Sequence, residues 1–338
     1  MRIIIAGLLT VCLMAPTGAP AKSEADAPNV QAAADYLVHA QGWYRGKVPT
    51  DLGLRKRIVR NGWQWREGRA STAVNFTGII ALALLDAHER LGRPEYLDAA
   101  LLYGMALVND FREFRSLTLP FRPDLELLVR LSEVTKDPSY KEAAAAWYTN
   151  FKQASPKGKD ELRRVIEGRA GPKARPLTGY EMAFAVHAAL AVGDTAHALD
   201  LADSAWQGRR SWMAKSVKAA GSWDLLSRAA LLRALSLCDE TRYEVAIRQL
   251  TDDLVGSQLK DGSWSGGSTQ TTAYALRALL RAAPDDKLAR AATARAAAWL
   301  SGSLGSNGAW PEAAGAEATN LEVQAEALTA WLAYLDRT

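Results

Sequence analysis

Two kinds of helix alternate along this chain at a spacing of about fifty residues, and few folds accommodate that pattern. Apolar residues recur with a helical period from about residue 29 onward. They predict twelve segments, near 29–45, 73–91, 95–112, 122–135, 138–153, 178–192, 195–207, 223–238, 241–258, 268–283, 287–303 and 319–335. Those starting near 73, 122, 178, 223, 268 and 319 carry Ala and Leu over most of their surface, as in NFTGIIALALLDA and TTAYALRALLRA. The intervening ones, such as TRYEVAIRQLTDDLVGSQ, have a broad polar face. A helix apolar nearly all round must be enclosed, whereas a helix with one apolar stripe sits on the outside. The starts of the enclosed set are 49, 56, 45, 45 and 51 residues apart, which is two helices plus two loops. Six such hairpins predict an all-α fold, an (α/α)6 toroid with inner and outer helix rings, formed by residues 29–338 as one domain. A superhelical stack of helix pairs is the alternative, but it leaves apolar inner helices uncovered at its two ends unless they are capped. The Lys/Arg/Gly/Pro-rich stretch 155–179 reads as a long loop between two hairpins.

Ahead of the toroid, residues 1–21 read as a secretory signal: Arg2, an apolar run from Ile3 to Met14, then Ala19-Pro20-Ala21 with cleavage after Ala21. About twelve apolar residues are too few to span a bilayer. A polar leader, 22–28, follows. The expectation is a periplasmic or secreted protein with no stable membrane insertion after cleavage. Cys12 leaves with the signal, so Cys238 has no intramolecular disulfide partner and is expected to be a buried structural thiol. Lys and Arg number 41 against 37 Asp and Glu, and the basic residues are interspersed with acids, so no nucleic-acid partner is implied. The four His and the isolated pairs Asp252-Asp253 and Asp285-Asp286 lack ligand spacing, and no metal or cofactor is expected. Neither a phosphate-binding glycine loop nor a GxSxG elbow occurs, which argues against nucleotide-dependent and serine-esterase chemistry.

Eleven Trp stand against six Phe. Several fall in a repeated loop: GSW at 221–223, DGSW at 261–264 and NGAW at 307–310, with a related NGWQW at 61–65. Gly allows the turn, Asp or Asn before it favours the same turn, and Trp is placed to fill the gap between hairpins. Gln258, four residues before Gly262, is placed to cap backbone amides or stack on the indole. Trp147, Trp206, Trp299 and Trp331 fall within helices and are expected to pack there. That leaves Trp43, Trp63, Trp65, Trp212 and Trp223 available to a ligand. The unit Gln258-Leu-Lys-Asp-Gly262-Ser-Trp264, followed by a Thr-rich helix start, resembles the QW repeat of squalene and hopene cyclases, and 307–310 is similar with Leu304 at the Gln position. The resemblance implies the toroid shared by terpene cyclases and prenyltransferase β subunits. It does not bring their chemistry, because the DxDD motif and the Asp/Cys/His zinc set of those families are absent. The NGWQW loop with Thr72-x2-Asn75 is more loosely similar to toroidal pectate lyases, from which no catalytic residue is carried over.

In a toroid the amino-terminal ends of the inner helices open onto one mouth, so site residues are sought there. The positions are Asn75 and Thr77, Arg122 and Asp124, Tyr180 and Glu181, Trp223 and Asp224, then Thr269, Gln270 and Tyr274, and finally Asn320, Glu322 and Gln324. Aromatic faces lie against sugar rings while amides and carboxylates bond hydroxyls, so this set suits a polysaccharide or cell-wall-derived ligand. A glycosidase would draw two carboxylates from Asp124, Glu181, Asp224 and Glu322. A lyase would use Tyr180, Tyr274 or Lys173 as base with Arg122 neutralising the substrate carboxylate. Asn75, Trp63, Trp65, Trp223, Gln270, Tyr274 and Asn320 would bind substrate. Each carboxylate and tyrosine also has a structural reading, in a helix first turn or in the core. The favoured function is an exported carbohydrate-active enzyme, lyase or hydrolase. The alternative is a non-catalytic glycan- or protein-binding scaffold of this fold, and oligomeric state stays open.

Overall fold

The computed structural model describes residues 27–50, 53–64, 77–113, 122–153, 179–220, 223–316 and 320–337. The signal and nearly all of the leader, and the loop 154–178, lie outside them. Within them the chain forms twelve helices and one β-hairpin. The first outer helix, α1 (Ala27–His39), is followed by β1 (Gly42–Thr50) and β2 (Gly53–Gly62). Then come α2 (Thr77–Leu91), α3 (Pro94–Glu113), α4 (Arg122–Thr135), α5 (Pro138–Gln153), α6 (Gly179–Ala191) and α7 (Thr195–Ala220). The remainder is α8 (Trp223–Cys238), α9 (Glu244–Gly256), α10 (Thr269–Ala282), α11 (Lys287–Ser303) and α12 (Leu321–Leu335).

The even-numbered helices form the inner ring. α2 packs on α4, α4 on α6, α6 on α8, α8 on α10, α10 on α12, and α12 back on α2, so the ring closes. The odd-numbered helices lie outside, α1 covering the junction of α12 and α2 and α11 that of α10 and α12. This is the (α/α)6 toroid that the alternation predicts, and closure removes the uncovered ends of the stacked alternative. Composition explains the sorting. In α12 nearly every residue from Leu321 to Leu332 is buried, while α9 buries only Ala246, Ile247, Leu250, Thr251 and Leu254 along one stripe. Starts are marked by capping: Ser268 accepts from the Thr271 N–H, Asp286 from that of Ala289, and Asn320 from those of Glu322 and Val323.

The Trp loops are wedges. Trp264 and Trp310 are fully buried, and their indole N–H groups donate to the carbonyls of Leu254 and Leu300, each at 2.8 Å. The turn before each needs a residue in the left-handed region, with Gly262 at φ +94° and Gly308 at φ +78°. A Cβ on Gly262 would lie 2.4 Å from the Arg295 carbonyl oxygen, and one on Gly308 2.3 Å from that of Ala32. The Gln258 amide donates to two carbonyls, of Gly262 at 2.9 Å and of Ala292 at 2.8 Å on the next outer helix, so it serves carbonyls and not the amides expected of it. In the 307–310 unit, which lacks that Gln, Gln324 clamps the backbone N–H and carbonyl of Trp310, both at 2.6 Å.

The sequence reading ran the first helix to residue 45; the helix ends at His39, and an antiparallel hairpin follows that pairs Gly42 with Gly62 and Thr50 with Gly53. Gly42, Gly46, Pro49 and Gly53 oppose helix continuation there. The hairpin interrupts a third copy of the Trp loop. Gln41 donates to the carbonyls of Asn61 and Ala99, both at 2.8 Å, and Trp63, 1% exposed, donates to Leu37 at 2.6 Å. Leu37, Gln41, Asn61 and Trp63 thus repeat the roles of Leu254, Gln258, Gly262 and Trp264, with Asn61 at φ 52° in the turn. Three residues separate Gln258 from Gly262, whereas nearly all of the hairpin lies between Gln41 and Asn61. Trp63, expected to be available to a ligand, is therefore a wedge like the other two.

Candidate functional site

Inner helices that run parallel bring residues of equal depth together, and two charged layers result inside the ring. The layer nearer the amino-terminal ends is built by α6, α10 and α12. Tyr180, second residue of α6, donates its hydroxyl to the carboxylate of Glu322, second residue of α12. One turn further in, Tyr274 of α10 donates to Oε1 of Glu326 at 2.7 Å, and the Gln270 amide bonds the same carboxyl group. The two phenol rings lie 5.4 Å apart, and Tyr180 also meets Phe184 edge to face at 4.8 Å. Glu322 and Glu326 are four apart on one helix and share a face, which puts their Cβ atoms about 5–6 Å apart.

Burial governs the protonation of this layer. Glu326 is 1% exposed, its Oε2 has no hydrogen-bond partner among the described residues, and the Glu322 carboxylate is adjacent. Desolvation and then repulsion from Glu322 hold its carboxyl well above the usual carboxylate range. Burial, joined by the neighbouring carboxylates, keeps the Tyr180 and Tyr274 phenols well above their ordinary value. The site therefore offers a neutral carboxylic acid, a second carboxyl group one turn away and two phenolic donors.

The structure brings together four of the residues singled out in the sequence, Tyr180, Gln270, Tyr274 and Glu322. Others it places elsewhere. Asp124 is buried and accepts from the Tyr103 hydroxyl at 3.0 Å, which in turn bonds Thr77 at 2.6 Å, tying α2, the outer helix α3 and α4 together. Asp224 pairs with Arg228 at 3.0 Å, and Arg228 reaches Asp253 of the outer helix α9 at 2.6 Å. Asn320 is the cap of α12 and is 6% exposed. Arg122, Glu181 and Trp223 stand in the first turns of α4, α6 and α8; their side chains lie outside what the structure describes. Asn75, Trp65 and Lys173 lie outside the described residues. Trp43 is 68% exposed on the hairpin, and Trp147 and Trp331 are buried in their helices. Cys238, expected to be buried, is half-buried, and the burial it has pushes its thiol up to about 11, which favours the protonated form.

Glu326 was missed by the sequence reading, which stopped at first turns. A signal existed: in LEVQAEALTAWLAYL a second Glu recurs at i+4 within a helix otherwise apolar on all sides. The same signal marks the deeper layer, where His187 of α6, Arg233 of α8 and Arg277 of α10 interrupt apolar runs. There Arg233 donates to His187 Nδ1 at 3.0 Å, and burial followed by repulsion from Arg233 and Arg277 keeps the imidazole neutral. Among the described residues no group of three or more His, Cys, Asp or Glu is arranged to hold a metal ion. No helix among them is long and apolar enough to cross a membrane.

Comparison with solved structures gives the class of fold. A heparin-specific unsaturated glucuronyl hydrolase superposes with a TM-score of 0.59 at 13% identity, over 92% of this chain and 96% of the other. The GH76A α-1,6-mannanase of Salegentibacter sp. HEL1_6 gives 0.57 at 12%, over 92% and 99%. The type II terpene cyclase MstE of Scytonema gives 0.54 at 16%, over 92% and 98%. The chain thus shares its α/α-toroid fold with solved structures of both carbohydrate-active enzymes and a terpene cyclase. No protein-family model and no curated protein matches its sequence.

Proposed function

We propose that this chain is an exported carbohydrate-active hydrolase, with Glu326 as general acid, Glu322 as the partner carboxylate and Tyr180 and Tyr274 orienting both. The observation that carries the reading is the pairing of two carboxyl groups on one face of α12, each bonded by its own tyrosine, Glu326 by Tyr274 of the adjacent α10 and Glu322 by Tyr180 reaching across the ring from α6. Glycoside hydrolysis needs one carboxyl group that keeps its proton and one that is ionised, and unequal environments provide that division. Glu326 is the more enclosed of the two. Phenols held above their ordinary value donate hydrogen bonds and are poor bases, which favours hydrolysis over tyrosine-initiated elimination. Two carboxyl groups and two phenols facing one another are ill suited to a hydrocarbon, which separates the reading from that of a terpene cyclase. The fold relatives acting on mannan and on unsaturated glucuronyl substrates lend support at the level of architecture.

The test is a panel of aryl glycosides and uronate-terminated oligosaccharides with wild type, Glu322→Gln and Glu326→Gln. Turnover that falls about 10²–10⁴-fold in each variant, with the fold retained, is expected. No turnover by the wild type across the panel favours the non-catalytic scaffold, and a rise in ultraviolet absorbance on uronate polymers would favour a lyase. Export predicts a mature chain beginning at Lys22 in the periplasm or medium, read by amino-terminal sequencing.

A further inference from the structure

At the opposite end of the inner ring, near the carboxyl ends of α2, α8, α10 and α12, lies a cavity of about 350 Å³. Arginines dominate its polar lining, and the carboxylates among them are already paired. Arg130 bridges Asp86 and Glu89, each at 2.5 Å, and Arg90 takes Asp336 at 2.6 Å. Arg281, also on the wall, is bound to Glu240 at 2.6 Å and to the Ser236 carbonyl at 2.9 Å. Three guanidinium groups are left over among the described residues, and with Arg337 exposed at the rim, Arg233 and Arg277 are the enclosed pair. Arg233 hydrogen-bonds only the neutral imidazole of His187 among the described residues, and Arg277 makes no hydrogen bond or ion pair among them. Each feels the other: burial, then the charge of Arg277, push Arg233 down to about 10.

Two like charges held side by side on rigid helices in a cavity, with no direct ion pair and with the nearby Asp86 carboxylate already bound to Arg130, cost stability unless something of opposite charge joins them. A guanidinium presents a planar fork of donors matched to the oxygens of a carboxylate or phosphate. The volume lies within the range of small-molecule sites, and Leu280 and Leu332 supply an apolar wall beside the charges. We propose that this cavity binds a small oxyanion-bearing molecule, a phosphate ester or a carboxylic acid, clasped between Arg233 and Arg277. The cavity lining shares no residue with the Glu322/Glu326 layer, although the Arg277 charge reaches Glu326 and Tyr274, and the proposal stands whether or not that layer hydrolyses glycosides.

The experiment is thermal denaturation and calorimetric titration of the full mature chain at low salt. Inorganic phosphate and glucuronate are the two probes, with sodium chloride at matched ionic strength as control. A saturable rise in Tm beyond the chloride control is expected. Phosphate alone giving it identifies a phosphate site, and glucuronate alone an acid-sugar site. In Arg277→Gln the rise is lost while the anion-free Tm goes up, because the uncompensated repulsion is gone. In Arg277→Lys the charge stays without the fork, and affinity falls about tenfold. Ala333→Trp fills the cavity without altering charge, and serves where Arg277→Gln fails to fold; it too abolishes the rise. No saturable rise with either anion, or a rise that persists in Arg277→Gln or Ala333→Trp, overturns the proposal.

Discussion

Trp264 and Trp43 show how little a residue's identity says before its position is known. Trp264 is fully buried with its N–H satisfied, while Trp43 is 68% exposed with its N–H on Asn61 Oδ1 at 2.9 Å. Trp264→Ala is expected to cost about 3–5 kcal/mol and Trp43→Ala no more than about 1 kcal/mol, measured by urea unfolding. Glu326 gives a prediction with a sign. Its folded carboxyl binds a proton more tightly than an unfolded one, so its contribution to stability is full below the ordinary value of 4.5 and is lost as pH rises through the raised folded value. Glu326→Gln stays neutral throughout, so its Tm should gain on that of the wild type as pH is raised from about 5 to 8. A gap independent of pH would show that Glu326 is ionised in the fold. Tyr180, Gln270, Tyr274 and Glu322 were legible because helix starts locate a mouth. Glu326, Arg233 and Arg277 were not, because reading first turns alone ignores the charges deeper in an enclosed helix.

Among the elements, the Trp loop is the repeated joint, and its strictness lies in the backbone. Gly262→Ala meets both a left-handed φ and the Arg295 carbonyl, whereas Gly193, at φ +82°, faces open space. The first should cost at least about 2 kcal/mol and the second about 1 kcal/mol, compared by chemical denaturation. Helix positions were legible almost throughout, since enclosed and one-sided helices differ in composition. The hairpin was not. Its register is set by pairing across a turn, and it sits inside a motif whose two halves look unrelated when read in order. The hydrogen bonds from Gln41 to Asn61 and Ala99, and from Trp63 to Leu37, show that they belong together.

For the molecule as a whole, closure is the governing fact. α12 lies against α2, and Arg90 joins Asp336, 246 residues on in the chain. Every inner helix has two inner neighbours, so no hairpin can leave without exposing the next two. Heat or urea should therefore give one transition, with Trp fluorescence and far-ultraviolet circular dichroism coinciding. Separate transitions would indicate the looser coupling of an open stack. The fold class was legible because a fifty-residue alternation of enclosed and one-sided helices has few solutions; what lines the axis was not, because it depends on which face of each helix turns inward. The interrupted Gln41–Asn61 turn carries a consequence for how this ring can be modified. Gln41 and Asn61 are held together across the break, so the joint works as a socket whose two halves meet whatever the length of chain between them. Replacing residues 42–60 by Leu-Lys-Asp, the residues between Gln258 and Gly262, should preserve the ring, and grafting the hairpin between Gln258 and Gly262 should be accepted too.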